Sequence, residues 1–292
     1  MQNSKSERTG RTVTREEKKA LETAACRIRM GIIESTHGAK SGHPGGSLSA
    51  ADVFAYLYFK ELRIDPQDPA WPQRDRFVLS KGHTAPGLYS ALALRGYFPL
   101  SELKNLRHIG SMLQGHPNMN DTPGVDMSTG SLGQGVSAAA GMALAAKHLG
   151  SGVRVYTLLG DGEIEEGEVW EAFMFAAHYK LSNFTAIIDN NGLQIDGPID
   201  KVMSSYPIDE KLAAFGFDVF KADGNDLDSL EEAFEAARKT DKPACILMKT
   251  VKGKGVSFME NQVGWHGKAP NDEEYATAMD ELGAQLKRLE AE

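Results

Sequence analysis

Between Arg15 and Ser35 the apolar residues Leu21, Ala24, Ala25, Ile28 and Ile32 fall at helical spacing, which predicts an amphipathic helix. The chain turns at SGHPGG (41–46) and resumes a helical pattern through SAADVFAYLYFKEL (49–62). Short apolar or β-branched runs follow: FVLS at 77–80, VRVYTLLG at 153–160, FTAIIDN at 184–190, DVFKAD at 218–223 and ACILMKTV at 244–251. Runs that are apolar throughout, rather than alternating, suit parallel strands covered on both faces. Helical stretches separate them: SAAAGMALAAKHL, GEVWEAFMFAAHYK and DSLEEAFEAARKT. This alternation predicts an α/β fold, a doubly wound, mostly parallel sheet with helices on both faces. The last stretch, NDEEYATAMDELGAQLKRLE, reads as a solvated amphipathic helix.

Composition narrows the function classes. Lys and Arg number 32 against 40 Asp and Glu, a net charge of −8, so neither nucleic acid nor an anionic membrane is attracted in general and any phosphate site must be local. No apolar run approaches a membrane span, and the polar start MQNSKSERTGRT lacks a secretory core. A cytoplasmic protein is expected. Residues 1–13 read as a mobile tail and 14–292 as one domain. Cys26 and Cys245 have no metal-ligand spacing and read as buried thiols.

Candidate chemistry concentrates where strands end. One strand runs into Gly160-Asp161-Gly162, and the next ends at Asn190-Asn191. Asp161 and Asn191 lie about 30 residues apart, which suits one strand–helix–strand unit returning to the same sheet edge, where open α/β sheets bind ligands. An Asp carboxylate, an Asn amide oxygen and the Leu193 carbonyl would then offer hard oxygen ligands to Mg²⁺, with Ca²⁺ as a substitute, rather than to zinc. Four of the eight histidines sit in Gly- or Pro-punctuated loops, as SGHPGG (His43), SKGHTAP (His83), QGHPN (His116) and GWHGK (His266). Loops carried by a rigid sheet are where sites concentrate, and imidazole can donate, accept or shuttle a proton near neutrality. His37, His108, His148 and His178 read as structural or solvated, and Lys252 and Lys254 as loop-ordering or solvated. Gly130, Gly133 and Gly135 follow a GxxGxG order, unlike the dinucleotide GxGxxG.

GDG, about thirty residues, then NN resembles the thiamine-diphosphate motif, and GDGEIEEGEVWEAFMFAAHYKLSNFTAIIDNNGLQIDG resembles the transketolases, a likeness that extends from about Ala20 to His266. The resemblance implies thiamine diphosphate as cofactor and Asp161, the Asn191 side chain and the Leu193 carbonyl as Mg²⁺ ligands. It places the Gly162 amide near the diphosphate and Gly130, Ser131 and Leu132 beside the cofactor rings. His43 and His266 would contact the reacting oxygens of a sugar, His116 the donor's terminal hydroxyl, and His83 and His266 the diphosphate. Glu166 matches a glutamate of the family that links two active sites, so it is an interface candidate. Family members carry the activating glutamate and the sugar-phosphate clamp on a pyrimidine-binding domain further along a longer chain. The expectation is therefore the N-terminal, diphosphate-binding subunit of a split transketolase, paired with a C-terminal subunit in an α₂β₂ assembly that moves two-carbon ketol units between sugar phosphates. The other readings are a transketolase-like subunit for a specialised ketose phosphate, the α subunit of an oxo-acid dehydrogenase, and a non-catalytic thiamine-diphosphate-binding scaffold.

Overall fold

The computed structural model describes residues 13–291; residues 1–12, most of the expected tail, lie outside them. Helix α1 (Arg15–Ala39) begins at a capping box, in which the Thr14 hydroxyl accepts from the Glu17 amide and the Glu17 carboxylate accepts from the Thr14 amide. It runs beyond Ser35 because the hydroxyls of Ser35 and Thr36 bond back to the Ile32 carbonyl instead of ending the helix. SGHPGG is the entry to a second helix: His43 caps α2 (Pro44–Ser49), with Pro44 at the first helical position. Helix α3 (Ala51–Tyr56) continues as a π-helical turn through Glu61.

Five strands form one parallel sheet: β1 (Arg76–Leu79), β2 (Val155–Gly160), β3 (Phe184–Asn190), β6 (Asp218–Asp223) and β7 (Ala244–Lys249), in the order β1-β2-β3-β7-β6. The five apolar runs are these five strands. A small antiparallel hairpin, β4 (Leu193–Gln194) with β5 (Gly197–Pro198), leaves the end of β3. The remaining helices are α4 (Ala85–Arg95), α5 (Gln134–His148), α6 (Gly167–His178), α7 (Ile199–Val202), α8 (Ile208–Ala214), α9 (Leu227–Lys239) and α10 (Asp272–Ala291).

Successive strand residues point to opposite faces, and the sheet sorts them accordingly. Tyr156, Leu158, Ile187, Ile246 and Met248 pack with residues of α1, α3, α4 and α9. Val155, Leu159, Phe184, Ala186, Ile188, Cys245 and Leu247 pack with α5, α6 and α8. The doubly wound architecture is thus present as two cores on either side of one sheet. Both cysteines are buried. The last helix is amphipathic but not merely solvated: α10 buries Ala278 and Leu282 in the α1 core. Among the described residues no helix is long and apolar enough to cross a membrane.

Register decides where the chemistry meets. Gly160 pairs with Asp189, and Asn190 with Lys249, so the segments leaving β2, β3 and β7 emerge at one level of the carboxyl edge. Helix α5 is drawn under the end of β1 by Gly135, where an added Cβ would lie 2.6 Å from the Ser80 Cα. Backbone cannot yield there as a side-chain tip would. Gly135→Ala should therefore destabilise the fold by about 1–3 kcal/mol, seen as a lower denaturation midpoint with an unchanged slope in urea.

Candidate functional site

Four segments converge at the carboxyl edge: Ser80–His83 after β1, Asp161–Glu163 after β2, Asp189–Leu193 at the end of β3, and Thr250–Lys252 after β7. Their centre is Asp189, fully buried, whose carboxylate accepts from Lys81 Nζ, Thr250 Oγ1 and Ser49 Oγ, the last at 2.6 Å. Lys81 Nζ also donates to the Gly46 carbonyl at 3.2 Å, tying α2 to the same point. Burial alone would raise the Asp189 carboxyl, but the Lys81 charge and these hydrogen bonds hold it below its ordinary value.

Asp161 is also buried, and its two oxygens accept from the amides of Gly162 (3.0 Å) and Gly192 (2.6 Å). The strand–helix–strand spacing has therefore brought it against the loop after β3. Asn191 Oδ1 accepts from the Leu193 amide at 3.1 Å, and the Leu193 carbonyl accepts from Lys252 Nζ at 3.1 Å. Burial first, and then the negative charge of Asp189, push the Asp161 carboxyl up to about 7. Lys252 Nζ also donates to His266 Nδ1 at 3.0 Å. Burial and the neighbouring Lys81 bring Lys252 down to about 8.

The four loop histidines form one group. The His43 ring lies 5.3 Å from His83, 5.5 Å from His266 and 6.5 Å from His116, and His83 stacks on His266 at 5.2 Å. Burial is the leading cause that lowers all four, His43 to about 4 and His266 to about 3, with nearby cations adding to it. All four are neutral at pH 7. Because Lys252 donates to its Nδ1, His266 carries its own proton on Nε2. His43 Nδ1 is buried and has no partner among the described residues.

A cavity of about 310 Å³ opens between these groups, lined by His83, Gly130, Leu132, Asp161, Gly162, Asn191, Leu193, Lys252 and His266. Glu163 braces its floor, accepting from Ser80 Oγ (2.6 Å), the Gly133 amide (3.0 Å) and the Gly160 amide (3.1 Å). Residues 20–290 match the family model described as transketolase, thiamine diphosphate binding domain. The chain belongs to the transketolase family. It is 46% identical over 258 residues to the 6-deoxy-6-sulfo-D-fructose transketolase subunit SqwG of Clostridium sp. (strain MSTE9), covering 87% of this chain and 93% of that protein. It is 41% identical over 263 residues to an apulose-4-phosphate transketolase subunit from Actinobacillus succinogenes, covering 90% and 95%. Among solved structures, transketolase from Campylobacter jejuni superposes with a TM-score of 0.85 at 34% identity, over 92% of this chain and 45% of that one.

Most of the anticipated positions thus meet in one place in this transketolase domain. Ser131 is exposed beside the cavity without lining it, and Glu166 is exposed at the start of α6, its Cβ 3.3 Å from where a Cβ on Gly133 would sit. His43 and His116 lie outside the cavity lining, reached through the ring contacts of His43. His37 is elsewhere, stacked on Tyr275 and bonded to Asp272. Sequence reasoning missed Lys81, Asp189 and Glu163, and it placed Lys252 too far from the chemistry. Lys252 does order the loops, but from a buried position on the cavity wall. One signal was available for Asp189, a carboxylate at the end of an apolar strand that needs a buried partner.

Two consequences can be measured on the cofactor-free chain. Asp161 binds its proton more tightly in the folded state, so stability falls as pH rises from about 4 to about 7. The contribution is at most roughly 4 kcal/mol, and thermal melts of Asp161→Asn should show a shallower decline than wild type across that interval. Removing the Lys252 amine frees the Leu193 carbonyl and His266 together. Lys252→Met should accordingly weaken affinity for thiamine diphosphate about tenfold or more in titration calorimetry.

Proposed function

We propose that this chain is the diphosphate-binding subunit of a two-chain transketolase, which transfers a two-carbon ketol unit between sugar phosphates with thiamine diphosphate and Mg²⁺. The observation that carries the cofactor part is a charge imbalance with two signs. Asp161 is raised to about 7 beside a second carboxylate, so a cation next to it relieves the burial. Lys252 is lowered to about 8 beside a second lysine, so an anion next to it does the same. A divalent cation bound to a diphosphate would satisfy both, and Asp161 and Lys252 line one cavity of about 310 Å³. Asp161, the Asn191 amide oxygen and the Leu193 carbonyl fit the cation as hard oxygen donors. The Gly162 amide, His83 and Lys252 fit the diphosphate; Gly130 and Leu132, on the cavity wall, fit the rings, with Ser131 beside them.

Bound thiamine diphosphate supplies the carbon nucleophile that receives the ketol unit. The chain's own part is to orient and to exclude water. Neutral His43 and His116 each carry one donor and one acceptor, and His266 keeps one donor, which suits the hydroxyls and carbonyl of a ketose. The Nε2–H of His266 is the donor available to a reacting oxygen, with Lys252 fixing the tautomer from behind.

A separate partner subunit is supported by the relatives that share this chain's extent and are named as subunits; an α₂β₂ pairing is part of the same proposal. Exposed Leu132, Ile195, Met203 and Tyr206, close to the cavity and the β4–β5 hairpin, give such a partner an apolar rim to cover. Those relatives are also named for particular sugars, one a sulfonated fructose and one apulose 4-phosphate, which favours a specialised ketose as the second reading. Glu166, exposed at the start of α6, suits a contact between paired chains.

Calorimetry with thiamine diphosphate should show Mg²⁺-dependent binding to wild type and none to Asp161→Ala; unchanged affinity in the variant would refute the metal assignment. With xylulose 5-phosphate and ribose 5-phosphate, the chain alone should give no ketol transfer until the partner is added. Turnover by the single chain would rule out the two-chain reading.

A further inference from the structure

Arg107 stands at the centre of an arrangement that neither the cofactor nor the metal assignment uses. It is one of four non-glycine residues with a left-handed backbone among the described residues, at φ 61°, a conformation that persists only where its surroundings enforce it. Its amide donates to the Leu113 carbonyl at 2.8 Å, closing the loop that leads to His116. Its Nη1 donates to Ser41 Oγ at 3.0 Å, two residues before His43. The guanidinium lies flat against Gly115, the residue before His116: an added Cβ there would meet Cζ at 3.0 Å, Nε at 3.1 Å and Nη2 at 3.2 Å.

We propose that Arg107 is a positioning residue for the sugar-facing pair, stapling the loop of His43 to the loop of His116 and setting a permanent positive charge behind both rings. The proposal rests on reading those two histidines as sugar-facing. A lysine would supply the charge without the planar fork that spans Ser41 and Gly115. A neutral residue would supply neither.

The electrostatic surroundings agree. After burial, Arg107 is the largest influence that disfavours the charged form of His43, ahead of His116 and Lys252, and among the described residues it is the one charged influence on His116. The rings of His83 and His266 complete the neighbours of His43. A positive charge behind both rings keeps each a donor and an acceptor at once, which protonation would end.

The test is an NMR pH titration of the full chain with ring-labelled histidine, the His43 and His116 signals being assigned through His43→Gln and His116→Gln. In Arg107→Gln the midpoints of both should move upward while His37 and His178 stay fixed. Unchanged midpoints in a folded variant overturn the proposal. If that variant does not fold, Arg107→Lys decides through amide exchange. With the charge kept and the fork lost, exchange over 113–116 should quicken about tenfold while both midpoints stay near wild type, and wild-type exchange would overturn the staple. Neither measurement needs turnover. Failure of the transketolase reading, seen as no ketol transfer with the partner present, is thus read separately.

Discussion

The buried pair of Lys81 and Asp189 is the constraint on which this edge of the molecule depends. Two charges removed from water repay their desolvation only when their remaining hydrogen-bonding capacity is filled. Asp189 meets that condition with Ser49 and Thr250, and Lys81 with the Gly46 carbonyl. Those partners come from α2, from the segment after β1 and from the segment after β7. The pair therefore couples four pieces of chain that parallel pairing alone would leave as independent loops. Breaking one half would strand a charge at zero exposure, a change usually costing about 3–5 kcal/mol, so the loops cannot drift separately.

The same pair sets the electrostatics of everything around it. Asp189 raises Asp161, while Lys81 lowers Lys252 and contributes to the neutrality of His83 and His266. One internal ion pair thus leaves an unbalanced carboxylate on one side of the cavity and an unbalanced amine on the other. Local stability is given up to hold both in place, as sites that bind charged ligands commonly require. On the proposed function, a cation and an anion bound together would answer both demands, and neither ion alone would.

How much of this was legible in the sequence follows from whether a feature is local. The five strands stood out because a parallel strand covered on both faces is largely apolar, as FTAIIDN and ACILMKTV are. Asp161 and Asn191 were legible because one strand–helix–strand unit separates them. Helix α4 was hidden by its Ala-Pro-Gly opening, where Pro86 fits the first turn but reads in isolation as a loop. The β4–β5 hairpin is only two residues a side, too short to show periodicity. Lys81 and Asp189 are 108 positions apart, and only the β1-β2-β3 register brings them together. The burial of Lys252 stayed hidden for a related reason. A lysine next to a glycine turn is normally solvated, and its burial comes from packing against Leu193 and His266, which sequence spacing does not reveal.

The site is consequently held by two kinds of support. The positions that would grip metal and diphosphate at Asp161, Gly162, His83, Asn191, Leu193 and Lys252 leave strand ends directly, within four residues of the sheet. His43 and His116 hang on longer loops outside the cavity lining, joined to each other through Ser41, Arg107 and Gly115. Strand ends are fixed by ladder hydrogen bonds and by two cores, so a substitution there disturbs the fold as well as the site. Loops fixed by a few side-chain contacts can be rebuilt with the sheet intact. Relatives named for a sulfonated fructose and for apulose 4-phosphate retain more than 40% identity over nearly the whole chain. Divergence in sugar with so much shared sequence is what such a division permits: a cofactor edge fixed by the sheet can be kept while the histidine loops, and whatever surface closes over the cavity, are free to change.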